Sequence, residues 1–187
     1  MSDPGWWEHT AGAALEQGDL LLDIPIYSTR GAASDPHVAQ VETELADVVV
    51  VTQTCDLDND KVDQILVAGA QPWRVFAGNQ YAAGNTAVKS SGFHQNLVRG
   101  NIPALTLLAA AGNTIPAIDW TIVDFRDLAV IQRVNIDAHT RRTTSRLRLR
   151  SPYKEHFAQA FARYFMRVGL PLDAEGFLGY ALTAFSI

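Results

Sequence analysis

Short apolar runs of strand length dominate the first half of the chain, and one helical stripe closes it. From Asp19 to Tyr27, the residues Leu20, Leu21, Leu22, Ile24 and Ile26 predict a strand. Pro25 cannot donate to a ladder and limits that strand to an edge or a bulge. Residues 29–45 show little periodicity, and Gly31 to Pro36 carry turn chemistry, so a long connection is expected there. Asp47 to Gln53 holds Val48, Val49, Val50 and Val51 in a row. A β-branched run that short predicts a strand buried on both faces. A polar turn, Thr54 to Lys61, leads to a third strand, Gln64 to Ala70, which makes a hairpin with a long acidic connection.

In the middle of the chain, Trp73 to Phe76 reads as a short strand and Gln80 to Gly92 as a polar connection. Phe93 to Val98 fits a helical turn or a strand start, and Ala104 to Ala110 fits either type. Trp120 to Phe125 and Leu128 to Val134 read as strands broken near Arg126 and Asp127. Ser145 to Arg150 alternates strictly, which places Arg146, Arg148 and Arg150 on one face and Leu147 and Leu149 on the other. This predicts a half-buried strand with a basic outer face. Ser151 then caps a helix with Pro152 in its first position. Phe157, Phe161, Tyr164, Phe165 and Val168 form its core stripe, and Gly169 and Pro171 end it. The expected fold is α+β: a bent antiparallel sheet or partly open barrel, packed by this C-terminal amphipathic helix.

The 187 residues suit one domain, 1–187, with 48% hydrophobic and 19% charged residues placing it among globular chains. No apolar run approaches membrane-spanning length. Met1 to Glu16 holds Asp3 and Glu8 without a basic residue, unlike a signal or transit peptide, so a cytoplasmic protein is expected. The single cysteine, Cys55, allows no intrachain disulfide and fits a reducing compartment. Its simplest reading is a small buried hydrophobe.

Charge changes the picture. Residues 1–72 contain thirteen acidic side chains against Arg30 and Lys61, whereas Arg133 to Arg167 is strongly basic. Such asymmetry marks either a surface for an anionic partner or two parts of one domain that pair with each other.

Two constellations are candidates for function. The first is the turn Thr52 to Lys61, at the end of a buried strand. Asp56, Asp58 and Asp60 alternate as in an EF-hand loop, but Lys61 replaces the required Gly and Val67 the bidentate Glu. A looser Mg²⁺ or Mn²⁺ site on Asp56 and Asp58, or a Cys55 nucleophile served by His156 or His94, would make this turn an enzyme centre. Three flanking carboxylates oppose thiol activation. The plain alternative is an Asx-type turn. The second constellation is the basic strand and helix start, Arg146, Arg148, Arg150 and Lys154. Its alternate arginines lie roughly 7 Å apart, close to the spacing of phosphates along one nucleic-acid strand. Tyr153 offers a stacking surface.

Gly18-Asp19-Leu20-Leu21, then Val48-Val49-Val50-Val51-Thr52-Gln53, then Ile65-Leu66-Val67-Ala68 resemble the opening of the PemK/MazF-type toxins over about residues 18–70. That resemblance implies a small SH3-like barrel that binds RNA. The family's catalytic Arg before the second strand and Thr or Ser after the third are missing from Glu42–Asp47 and Ala68–Ala70, so ribonuclease activity is not implied. Gln53-Thr54-Cys55-Asp56-Leu57 and Ser151-Pro152-Tyr153 are similar to stretches of bacterial and phage proteins with no assigned role. The expectation is therefore a non-enzymatic binding module of a prokaryotic defence, toxin or phage-related system, with nucleic acid or a protein as partner and no cofactor. The alternative is a metal-assisted phosphodiesterase or Cys-dependent hydrolase on the acidic turn, with Mg²⁺ only in that case.

Overall fold

The computed structural model describes residues 5–12, 14–32, 35–58, 61–112, 114 and 116–166. Among these described residues, seven strands form one antiparallel sheet: β1 (Trp7–Thr10), β2 (Asp19–Ala32), β3 (Asp35–Val50), β4 (Gln64–Pro72), β5 (Leu105–Leu108), β6 (Thr121–Gln132) and β7 (Arg146–Leu149). Their order is β1-β7-β2-β3-β4-β6-β5. Five helices accompany them among the described residues: α1 (Thr54–Asp58), α2 (Trp73–Ala82), α3 (Ser91–Val98), α4 (Arg133–Arg142) and α5 (Tyr153–Phe165), with a 3₁₀ turn over Thr86–Lys89. The class is α+β with an open sheet, as the patterning predicts. The Trp7 indole on edge strand β1 donates to the Ala109 carbonyl at 2.8 Å, just beyond edge strand β5. The sheet bends until its two edges meet through this side chain rather than by strand pairing.

The valine run explains the core. Val49 and Val51 face one side with Ala68, Val123, Leu147 and Phe157, while Val48 and Val50 face the other with Val67, Ile131, Leu57 and Ile136. The first side is covered by α5, whose Phe157 and Phe161 pack on Phe125 with ring centroids 5.7 and 5.4 Å apart. The second is covered by α1 and α4. A third cluster joins Phe76 and Leu97 of α2 and α3 to Leu105 and Ile122.

Several local expectations need correction. Residues 29–45 are not a loose connection. They complete a hairpin in which Ile24–Gly31 of β2 pairs with Ala39–Ala46 of β3. Gly31 and Ala32 still belong to β2, and Asp35 and Pro36 to β3, against the turn expected there; Val41, Thr43 and Leu45 alternate as a strand requires. Trp73–Phe76 opens a helix, α2, because Pro72 ends the ladder at that point and pre-sets the turn. The acidic turn contains the short helix α1. The two strands expected around Arg126 are one strand, β6, whose register against β4 slips between Ala68 and Gly69. Val134 belongs to α4. Ser151 does not cap α5; Pro152 flanks its start and no side chain caps it. Phe165 is exposed rather than part of the core stripe. Val168, Gly169 and Pro171 lie outside the described residues. No helix among the described residues is long and apolar enough to cross a membrane.

Candidate functional site

The basic strand is not a surface. Both faces of β7 are buried, and Arg146 and Arg148 are only 5% and 7% exposed. Their partner is the fully buried Asp19 at the start of β2. Arg146 Nε donates to Asp19 Oδ2 at 2.8 Å, and Arg148 holds both carboxylate oxygens, through Nε to Oδ1 and Nη2 to Oδ2. The same guanidinium groups reach the Gly12 and Ala14 carbonyls. Arg148 also pairs with Glu16, which accepts from Lys154 Nζ at 2.7 Å. The Lys154 hydrogen bond and the nearby arginines hold the Glu16 carboxyl below its ordinary value, against an opposing desolvation. Burial pulls the Arg148 guanidinium down, and its bonds and charge pairing with Asp19 and Glu16 more than reverse this. The expected outward stripe Arg146, Arg148 and Lys154 is thus a clamp that ties the segment before β2 to β7. A buried charge must find a partner or neutralise, and the acidic N-terminal segment supplies it. Arg150 lies just past β7 and is half-buried, its backbone N–H bonded to the Trp6 carbonyl.

The second constellation is dispersed as well. Cys55 is exposed on α1 instead of buried, with its Sγ 3.7 Å from Gln53 Oε1 and 3.9 Å from Asp56 Oδ1. Leu57 of α1 packs on one face of the sheet and Phe157, beside His156, on the other. The fold therefore keeps Cys55 and His156 apart. His94 is bonded through Nε2 to the Val88 carbonyl at 2.8 Å. Asp56 and Asp58 gather no third partner, since no group of three His, Cys, Asp or Glu suited to a metal occurs among the described residues. Asp60 lies outside them. Among the cavities that indent the described surface are several of 130 to 500 Å³, and no residue of α1 lines any of these.

The largest of these, about 500 Å³, lies between α5, the end of α3 and edge strand β5. Its floor is Thr106, Leu107 and Leu108, and its walls are aromatic. Trp6 stacks on Tyr153 with centroids 4.3 Å apart and planes 12° from parallel. Trp120, half exposed, stands at the other wall. A neighbouring cavity of about 180 Å³ shares Leu97, Val98, Leu107 and Trp120 with it, so the two form one groove.

Cations line its rim. Arg99 comes directly after α3, which stops there because Gly100 takes φ +67°, a left-handed conformation that glycine adopts without strain. Tyr153, His156, Ala160 and Arg163 recur along one face of α5, beside the Phe157–Phe161 core stripe. Arg99, His156 and Arg163 are all exposed. Sequence reasoning singled out Tyr153 and His156 but missed the groove. The second helical stripe on α5 was its one visible signal; Arg99 and Trp120 reach the site only through the bend of the sheet.

Another cavity, of about 230 Å³, lies between β2, β7 and the end of α4. Its cation, Arg146, is already committed to Asp19. No family model, curated protein or solved structure matches this chain.

Proposed function

We propose that the chain is a non-enzymatic binding module that holds a nucleotide in the groove between α5, α3 and β5. The observation that carries this reading is the joining of aromatic walls to a cationic rim in one cavity of about 500 Å³. That volume suits a small organic ligand. A base stacks on an aromatic ring regardless of its identity, and arginine offers a planar fork to a phosphate. The ligand is a nucleotide, either free or exposed in a single strand. The overall charge of −5 disfavours a long polyanion lying across the whole protein. Arg99 and Arg163 are suited to neutralise one or two phosphates, so the groove reads a short segment.

Titration of the purified protein with adenosine monophosphate and with a short single-stranded oligonucleotide, monitored by tryptophan fluorescence, tests this. Saturable quenching is expected with at least one of them, and Arg99→Ala/Arg163→Ala should abolish it while leaving the far-ultraviolet spectrum intact. A stronger response to the oligonucleotide identifies the strand as the source, and a response to the monophosphate alone identifies the free nucleotide. No response to either, or an unchanged response in the double variant, would overturn the proposal.

A further inference from the structure

The hairpin of β2 and β3 runs out of the sheet. Its outer neighbours pair with it only at its root, β7 at Asp19 and Leu20 and β4 at Val48 to Val50. Beyond Ile24 and Ala46, the described ladder is a two-stranded ribbon. A bulge marks the departure point. Asp23 takes φ +51°, and its amide is held by Asp47 Oδ1 at 2.9 Å. Bulges of this kind bend a strand and turn its far end in a new direction.

The two faces of the ribbon differ. One carries Ile26 and Ala46, which pack on the second core cluster, together with the acidic Glu42 and Glu44. The other carries Pro25, Tyr27, Val41, Thr43 and Leu45, in register through the pairs Pro25–Leu45 and Tyr27–Thr43. Tyr27, Val41 and Leu45 are 57%, 65% and 68% exposed. None of these five residues is charged, although the chain as a whole carries −5.

We infer that this face is where two copies of the chain meet, ribbon against ribbon across a two-fold axis. An isolated two-stranded ribbon is marginal in water and becomes stable when its apolar face is covered. Two molecules of net charge −5 repel, and this neutral face lets them approach without setting carboxylate against carboxylate. The same patch on each copy satisfies the self-complementarity of a two-fold interface. A specific contact needs about 1,000 Å² in all, and a patch built on three large exposed apolar side chains with Pro25 and Thr43 beside them stands at the small end of that range. The dimer is therefore weak and concentration-dependent.

Sedimentation velocity of the full chain, from low micromolar to submillimolar concentration, tests the inference. The expected result is a shift from the monomer mass of 20.4 kDa toward twice that value. Val41→Lys/Leu45→Lys should remain monomeric throughout, with the melting temperature of the wild type at concentrations where the wild type is itself monomeric, since both positions are exposed there. Thr43→Cys in a Cys55→Ser background should give a disulfide-linked dimer under mild oxidation. Arg99→Ala/Arg163→Ala should still dimerise, which separates this surface from the groove. A wild-type chain that stays monomeric throughout, or a dimer that survives the Val41 and Leu45 substitutions, would overturn it.

Discussion

Arg148 grips both carboxylate oxygens of Asp19 across the β2–β7 seam, with neither side chain open to water. Arg146 shares the same carboxylate at 2.8 Å. Removing the carboxylate would leave two buried guanidinium groups with the Gly12 and Ala14 carbonyls and a single remaining anion, Glu16. Asp19→Ala should therefore cost about 3–5 kcal/mol, as is usual when one partner of a buried ion pair is deleted. The shift of the urea midpoint at constant slope measures it. Replacing Asp19, Arg146 and Arg148 together by apolar residues of similar volume should recover much of that loss, because no buried charge then remains. Equal destabilisation by the single and triple variants would show that the clamp matters for its shape and not its charge.

Glu16 gives the clamp a pH dependence. The Lys154 hydrogen bond, aided by Arg148 and Arg146, lowers its folded-state value below the ordinary 4.5. The stabilisation is present in full above pH 4.5 and disappears as pH falls through the lowered value. The melting temperature should thus decline from about pH 4.5 downward, and Glu16→Gln should flatten that limb while lowering the plateau near pH 7. Parallel acid limbs in the two proteins would place the acid sensitivity elsewhere.

Asp127 works with the opposite sign. Its carboxyl lies over the bare backbone of Gly69, where a Cβ would stand 2.0 Å from Oδ2. Burial of that carboxyl, with Asp124 and Glu44 nearby, raises it above its ordinary 3.8. Its ionisation then opposes folding: the contribution is most favourable below pH 3.8 and is lost as pH rises through the raised value. Asp127→Asn should raise the melting temperature at pH 7 and converge with the wild type in acid. Gly69→Ala should cost about 1 kcal/mol through crowding at this contact, and less when Asp127 is Ala. Additive costs in the double variant would mean that the two residues do not meet.

The strands around the valine run were legible because burial on two faces leaves a continuous β-branched signature. Arg146 and Arg148 were legible as a strand but misassigned to solvent. Alternation separates two faces without saying what covers either one, and the cover, the segment from Gly12 to Asp19, is more than 120 residues away in sequence. The choice between internal pairing and partner binding, open in the charge distribution, is decided for Arg146, Arg148 and Lys154 by Asp19 and Glu16. The groove was illegible for a related reason. Trp6, Arg99, Trp120 and Arg163 converge only after the sheet bends and Trp7 joins β1 to the end of β5.

That convergence separates two kinds of contribution to binding. On the proposed reading Arg99 and Arg163 act through charge, so the logarithm of affinity for a single strand should fall with the logarithm of salt at a slope of roughly −1.4, the value for two neutralised phosphates. Changing one arginine to Ala should bring the slope to roughly −0.7. On the same reading Trp120 acts through stacking. Trp120→Ala should weaken binding by about 1–3 kcal/mol and leave the salt slope unchanged. Fluorescence anisotropy of a labelled oligonucleotide across a salt series distinguishes the two. A slope that changes with Trp120 but not with the arginines would mean that the phosphates are held elsewhere on the protein, and the groove would keep only the base.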